Sequence, residues 1–539
     1  MKINNLSSKY DVIIVGSGMG SLACASILAQ MEKRKVLVLE RHFKIGGFTH
    51  IFKRQGKYEW DVGIHYIGQM EKGFIPRALF DYITGGKVQW FKMPDFYDVF
   101  VYPDFKFRAH VGREKLRADV IKQFPTEREA IETYFDDVKK ASKWMGKLFM
   151  ANALPKSMNA LAVLLKKGGS DLALMTTKKY LDAHFEDPRL KALLVSQWGD
   201  YGLPPKLSAF GIHSMIANHY INGGWYPVGS SKTIADSVIE IVESKGGAML
   251  VNQFVDKLIV ENGKAIGVEV KEKQGNDFVN RKYFADVIVS GAGAYTTYNK
   301  LIPEVVKLPF EEEIKNFPSG ISHITLYVGL KDDPRKIGFE GENYWIYSSY
   351  DHDEIYESRN QLINGNAVAC YVSFPSLKNP KATAHTVEII AFTDAAPFRD
   401  WANQPWKNRD AEYAELKQKI SEALINFACE RITPFKDFID YHELSTPLST
   451  EFFTGHREGN IYGLPAIPER FKKKWLTPRT PIKNFYLTGS DVASHGILGA
   501  LMGGVLTSGV IMGGMGPMKI FGAAKKFGSR MNKEETVSV

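Results

Sequence analysis

The sequence predicts an α/β fold in which a Rossmann-type dinucleotide-binding domain is interleaved with a second, α+β domain. Three observations predict it. A β-branched run, Asp11-Val-Ile-Ile-Val15, leads into the glycine-rich turn Gly16-Ser-Gly18-Met-Gly20-Ser21. A helical stretch over 22–31 then gives way to a second apolar run, Lys35-Val-Leu-Val-Leu39, which ends on the acidic Glu40. Far downstream, Asp286-Val-Ile-Val289 and Leu487-Thr-Gly489-Ser-Asp491 read as strands that return to the first unit.

Each element has a local cause. Short continuous β-branched runs suit strands buried on both faces of a parallel sheet. Gly16 permits the tight turn, and Gly18 lets the backbone approach a pyrophosphate. The helix that follows presents free N–H groups to phosphate at its N-terminus. Glu40 stands where a carboxylate accepts the hydroxyls of an adenosine ribose. The third glycine position of the fingerprint is Ser21, still small enough for close helix–strand packing. This unit alone does not separate FAD from NAD. The pair Gly46-Gly47, just past Glu40, lets the chain pass close to an extended dinucleotide and points to non-covalent FAD. A helix is expected over 233–244 and hairpin strands over 251–255, 257–261, 265–273 and 278–284, with Glu261-Asn-Gly-Lys264 as a turn. Ser290-Gly-Ala-Gly293 imitates a second GxG, but an ordinary turn after a returning strand accounts for it. The FAD domain therefore takes 8–72, 228–300 and 480–512, and the substrate domain 73–227 and 301–479.

Composition narrows the class. The chain has 539 residues, 44% hydrophobic and 24% charged, with a formal net charge of +9. That basicity suits an anionic membrane surface, and no motif for nucleic acid accompanies it. The 33 Phe, 24 Tyr, 9 Trp and 16 Met suit a wide apolar cavity. Cys24, Cys370 and Cys429 are far apart and form neither a disulfide framework nor a zinc site. The opening residues carry no apolar run of a secretory signal, so a cytoplasmic, peripherally membrane-associated protein is expected. The stretch from Gly496 to Met518 has no charged residue, but its glycines favour a buried helix followed by a loop over a membrane span.

Longer motifs carry a resemblance. Gly46-Gly47-Phe48-Thr49-His50 and Trp60-Asp-Val-Gly63-Ile-His65-Tyr66-Ile-Gly68 are two of them. His219-Tyr-Ile-Asn-Gly-Gly-Trp-Tyr-Pro227, Ser445-Thr-Pro447-Leu, Tyr462-Gly463 and Asn484 to Asp491 with Gly499-Ala500-Leu501 follow in order. Together they resemble the retinol saturases, which stand with carotenoid isomerases and phytoene desaturases among FAD-dependent oxidoreductases. The likeness runs from about residue 10 to about 515 and implies a glutathione-reductase-like FAD domain of the amine oxidase and phytoene desaturase type. Amine oxidases often carry Arg after the glycine pair, where this chain has Phe48. The resemblance implies that Gly16, Gly18, Gly20, Ser21, Glu40, Arg41, Gly46, Gly47, Phe48 and Thr49 bind FAD. It implies the same of Val255, Gly489, Asp491, Ile497, Leu498, Gly499 and Ala500. The helix starting near Ile497 would aim its positive end at the flavin.

The implied reaction is saturation of a carbon–carbon double bond in a long apolar polyene or isoprenoid lipid, of the all-trans-retinol 13,14-reductase type. Hydride reaches one carbon, and a proton must reach the other. His65, Tyr66 and His219 are the leading proton-donor candidates, followed by Tyr201, His213, Tyr220 and His495. No metal-ligand spacing appears; His213 and His219 lack the i, i+4 separation of a helical pair. Electrons would come from a donor protein or from NAD(P)H. The alternatives are a carotenoid cis–trans isomerase or phytoene desaturase-like enzyme, an amine oxidase, or a lipid binder with a vestigial flavin. Residues 144–167 and the basic amphipathic tail 513–539 are expected to dock on anionic lipid.

Overall fold

A computed structural model describes residues 9–537. Segment 1–8, read above as lacking a secretory signal, and residues 538 and 539 lie outside the described residues. The apolar run of the sequence forms the strand Lys9–Val15, at the centre of a seven-stranded sheet. It pairs in parallel with Val36–Leu39 on one side and with the C-terminal half of Asp277–Ser290 on the other. Ala248–Leu250 extends the sheet beyond Val36–Leu39, and Phe485–Leu487 pairs in parallel with Asp277–Ser290. The runs expected at 278–284 and 286–289 are one continuous strand. Its first half is antiparallel to Lys264–Gln274, and its second half enters the parallel core. The runs expected at 251–255 and 257–261 likewise merge into Gln253–Glu261, with an irregularity between Val255 and Lys257. Asn262 and Gly263 both have positive φ, 49° and 72°, as a tight hairpin turn requires.

The first helix, Met19–Met31, packs against a late helix, Gly496–Met512. Their contact is made of backbone. A Cβ on Gly20 would lie 2.5 Å from Gly489 Cα and 2.9 Å from Ala500 O. A Cβ on Gly504 would collide with Gly20 O and the Ala23 side chain. The glycines of the uncharged stretch therefore let the two ends of the chain meet. That stretch is a buried helix, as read, and a second helix, Gly516–Val537, follows a short turn. Among the described residues no helix is long and apolar enough to cross a membrane.

A second seven-stranded sheet runs Ile439–Ser445, Ser322–Leu330, His385–Thr393, Ala369–Ser373, Asn343–Tyr347, Phe96–Val101, Lys106–His110. Neighbours are antiparallel except Phe96–Val101 and Asn343–Tyr347, which are parallel. The long helix Arg128–Ala153 packs on Phe210–Tyr220 beside it.

Two expectations about membrane contact need correction. In 144–167, Trp144, Met145, Leu148 and Phe149 are buried, because that face of the long helix belongs to the core under Phe210–Tyr220. Only the short helix Asn159–Lys166 leaves apolar side chains in solvent, with Val163 62% and Leu164 64% exposed. In the tail helix, Ile520 and Ala524 are buried, and Phe527 meets Tyr82 edge-on at 5.8 Å. The apolar face assigned to lipid thus lies on the helix Ile75–Ile83.

The contact between the two ends predicts opposite outcomes for two glycines. Gly20→Ala should cost about 1–3 kcal/mol, since only backbone stands in the way and backbone relaxes least. Gly522→Ala, in the tail helix with nothing within 4 Å of its Cβ, should gain about 0.5–1 kcal/mol of helix stability. Urea unfolding of the two variants checks the pair; equal midpoints would contradict the packing described.

Candidate active site

One cavity of about 810 Å³ joins the two sheets. Its first wall is the glycine turn. The first helix begins at Gly18, whose Cβ position has nothing within 4 Å, and no side chain caps it. The late helix begins after His495, also without a side-chain cap. Two sets of unpaired N–H groups therefore face the same space, a setting for a pyrophosphate at one end and an electron-rich ring at the other. Gly489 and Gly496, with φ of 94° and 75°, are open on the same side. Glu40 is 7% exposed; its Oε2 accepts from Ser17 N at 2.8 Å and Ser17 Oγ at 2.7 Å, and its Oε1 from His42 N at 2.8 Å. These bonds aim the carboxylate, while burial pushes its pKa above the usual carboxylate range. The room that Gly18, Gly489 and Gly496 leave by lacking a Cβ, together with the aimed Glu40, fits FAD.

Of the residues expected to bind the cofactor, Gly16, Gly18, Gly20, Ser21, Glu40, Arg41, Gly47, Phe48 and Thr49 line this cavity. So do Val255, Gly489, Asp491, Ile497, Leu498, Gly499 and Ala500. Gly46 stands behind them, its N–H donating to Ser17 Oγ at 2.9 Å. Ser21 fits under Gly291, whose Cβ would strike the Ser21 hydroxyl. Asp491 is not itself the N-cap residue of a helix, though its side chain takes the first N–H of the short helix Ala294–Thr296. Its Oδ2 accepts from Ala294 N at 2.7 Å and its Oδ1 from Leu464 N at 3.1 Å, so it staples three segments at the cavity edge. The Ser290–Gly293 turn lies on the same wall, with Gly291 N donating to Val15 O at 2.8 Å.

The far wall is apolar. Phe149, Met150, Met215, Ile216, Met502 and Leu506 line it. His65, Tyr66, His219, Tyr220 and His495 also reach the cavity, but Tyr201 and His213 do not. His213 sits between two phenols, Tyr134 at 2.9 Å and Tyr201 at 3.3 Å, within the helix packing. His219 Nε2 accepts from Gly68 N at 2.9 Å, and burial lowers its pKa to about 3, so it is neutral. His495 Nε2 lies 2.8 Å from Leu464 O and Nδ1 3.2 Å from Tyr201 O. His65 Nδ1 is 2.7 Å from Glu388 Oε2, and burial brings the imidazole down to about 3.

Behind His65 and Tyr66 lies a polar chain that sequence reasoning missed. Lys378 Nζ donates to His65 O at 3.0 Å, to Ser373 Oγ at 2.8 Å and to Asn343 Oδ1. Asn343 Nδ2 donates to Asp98 Oδ1 at 2.9 Å, and Gln197 Nε2 to Asp98 Oδ2 at 2.8 Å. Tyr66 Oη lies 3.0 Å from Asp98 Oδ2 and 3.2 Å from Asp200 Oδ2. Asp98, Asn343, Lys378 and Glu388 are fully buried. For Asp98 and Glu388 the signal in the sequence is a charge set in an apolar strand, as in Phe96-Tyr-Asp98-Val-Phe or Val387-Glu388-Ile-Ile.

With this geometry in place, similarity to known proteins becomes informative. The family model of the NAD(P)-binding Rossmann-like domain matches residues 14–83. The All-trans-retinol 13,14-reductase of Danio rerio is 33% identical, covering 98% of this chain and 90% of its own length. The chain belongs to the all-trans-retinol 13,14-reductase family. A Danio rerio protein named inactive all-trans-retinol 13,14-reductase is 28% identical over 94% of this chain and 87% of its own length. The chloroplastic prolycopene isomerase of Arabidopsis thaliana is 24% identical over 93% and 82% respectively. Among solved structures, cyclohexylamine oxidase from Brevibacterium oxydans IH-35A shares the fold, with a TM-score of 0.59 at 13% identity, covering 96% of this chain and 99% of its own. The retinol reductase family and the Rossmann match together make this chain an FAD-dependent oxidoreductase.

Glu40 gives a direct test of the cofactor wall. Glu40→Gln keeps the shape and removes the charge. Hydrogen bonds to a charged group contribute about 1.5–3 kcal/mol, so FAD affinity should fall by roughly 10–100-fold. Fluorescence titration of apoprotein with FAD measures it, and unchanged affinity would remove Glu40 from the ribose site.

Proposed function

We propose that this chain saturates a carbon–carbon double bond of a long apolar polyene lipid, with retinol as the model substrate. One observation carries the reading: a single cavity runs from the glycine turn to a wall of Phe and Met side chains. Its breadth and apolar end suit an elongated lipid better than a small amine. When bound, FAD supplies the two-electron chemistry. The chain's own residues bind, orient and protonate. Gly16, Gly18 and the first helix hold the pyrophosphate, Glu40 the ribose, and the N-terminus of Gly496–Met512 the flavin ring. His65 and Tyr66 line the cavity, and His219 fixes the Gly68 turn beside them. The reducing equivalents come from NAD(P)H or an electron-donor protein, delivered to the same FAD. The similarity to a prolycopene isomerase supports a second reading, geometric isomerisation without net reduction.

Anaerobic mixing of reduced enzyme with all-trans-retinol separates the readings. Saturation reoxidises one flavin per product and adds two hydrogens to the lipid. Isomerisation leaves the mass unchanged and the flavin reduced, and a lipid binder changes neither lipid nor flavin.

The substrate would come from an anionic membrane surface. Gly146, Phe149 and Met150 border the cavity at the end of the long helix, and the exposed helix Asn159–Lys166 follows directly. Arg479 anchors that junction by donating to Ala153 O at 3.1 Å and Leu154 O at 3.0 Å. Val163 and Leu164 would enter the lipid, with Lys166 and Lys167 at the headgroups. The protein should float with phosphatidylserine vesicles at low salt, and a Val163→Asp, Leu164→Asp double variant should not. Wild-type protein that stays at the bottom of the gradient would exclude this docking mode.

A further inference from the structure

We infer that Asp200 is the proton donor of the saturation reaction, a carboxylic acid held at the cavity wall by Tyr66 and Asp98. The inference rests on the reductase reading and names the group that completes it.

The geometry sets the protonation. A phenol has one proton to donate, yet Tyr66 Oη stands within hydrogen-bond distance of two carboxyl oxygens, on Asp98 and Asp200. Both contacts form only if one carboxyl group carries a proton and donates it to the phenol. Asp98 accepts from Asn343, Gln197 and Tyr66, a set of donors that stabilises the carboxylate. Asp200 meets Tyr66 alone, so the proton resides on Asp200. The order is Asp200 O–H to Tyr66 Oη, then Tyr66 O–H to Asp98. The charge surroundings agree: Lys378 is the buried ammonium that faces Glu388, Asp98 and Asp61, whereas the charged neighbour of Asp200 is the carboxyl of Asp98. Burial and the neighbouring Asp98 push Asp200 well above the usual carboxylate range, whereas Asp98 rises only to about 6.

Position favours the same residue. Asp200 ends the short helical turn Trp198–Asp200 and is partly exposed, toward the cavity it lines. Tyr462 Oη donates to Gly199 O at 3.0 Å, and Tyr462 stacks on His495 at 5.4 Å. His495 contacts Tyr201 O and immediately precedes the uncapped helix Gly496–Met512. The turn carrying Asp200 is therefore tied to the flavin end of the cavity. The histidines are poorer donors: His65 is turned to Glu388 through Nδ1 and its pKa is lowered, and His219 is buried, with Nε2 already accepting a backbone N–H.

The step balances. When bound, reduced FAD would supply a hydride, the hydrogen and electron pair of the new C–H bond at one alkene carbon. The carbon left with the π electron pair takes the Asp200 proton, so the O–H bond breaks, a C–H bond forms and Asp200 becomes a carboxylate. Its proton is restored from solvent water before the next turnover.

Two readouts on FAD-loaded enzyme test the assignment. In the infrared, the wild-type minus Asp200→Asn difference spectrum should show the C=O stretch of one protonated carboxylic acid, separate from any band of Glu388. Asp98→Asn should retain that band. In anaerobic single turnover with all-trans-retinol, Asp200→Asn should reoxidise its flavin at least about 100-fold more slowly, the size expected for a lost general acid. Asp200→Glu, which restores an acid, should recover part of the rate. A band that survives in Asp200→Asn but vanishes in Asp98→Asn overturns the assignment in favour of Asp98, as does a wild-type rate in Asp200→Asn. Wild-type flavin that stays reduced beside retinol would instead overturn the reductase reading and the donor role with it.

Discussion

The backbone contact between Gly20 and Gly489 holds the site together. The first helix starts the phosphate turn, and the late helix starts the flavin end. Both N-termini point into one cavity only because their glycines let the helices approach without side chains between them. Gly503 adds to the contact by packing on Gly489, and Gly504 by packing on Gly20 and Ala23. A single Cβ here would separate segments that lie nearly 500 residues apart in the chain.

The second constraint is electrostatic. Carboxyl groups buried behind His65 and Tyr66 outnumber the ammonium group facing them, and isolated buried charges are costly. The chain resolves this by neutralising some groups and hydrogen-bonding the rest. Lys378, Asn343, Asp98, Tyr66 and Asp200 form a continuous line from the second sheet to the cavity. Such a line is expensive for stability alone, which is why its end at the cavity reads as chemistry rather than packing.

Exposed surface divides differently from what amphipathic pattern implies. Periodicity marks an apolar face but not what covers it. In residues 144–149 and in the tail helix, other helices cover it. Around Val163 and Leu164 the face is left open, in the helix that follows the cavity-lining Phe149 and Met150.

The sequence alone determined the dinucleotide unit, because its residues are contiguous and each answers a local demand. Gly16 and Gly18 serve the turn, Glu40 the strand end, and the Val-Ile-Ile-Val run a strand buried on both faces. Family motifs placed His65, Tyr66 and Asp491 on the same ground. Tertiary structure decided what local sequence cannot encode. It merged separate runs into the long strand Asp277–Ser290 because one strand serves two pairings. It placed His213 between two phenols, away from the cavity. It also gathered Asp98, Asp200, Asn343, Lys378 and Glu388 from separate segments. Each of these is an unremarkable polar residue in its own stretch, and only the field of the others, in a dry interior, sets where its proton lies.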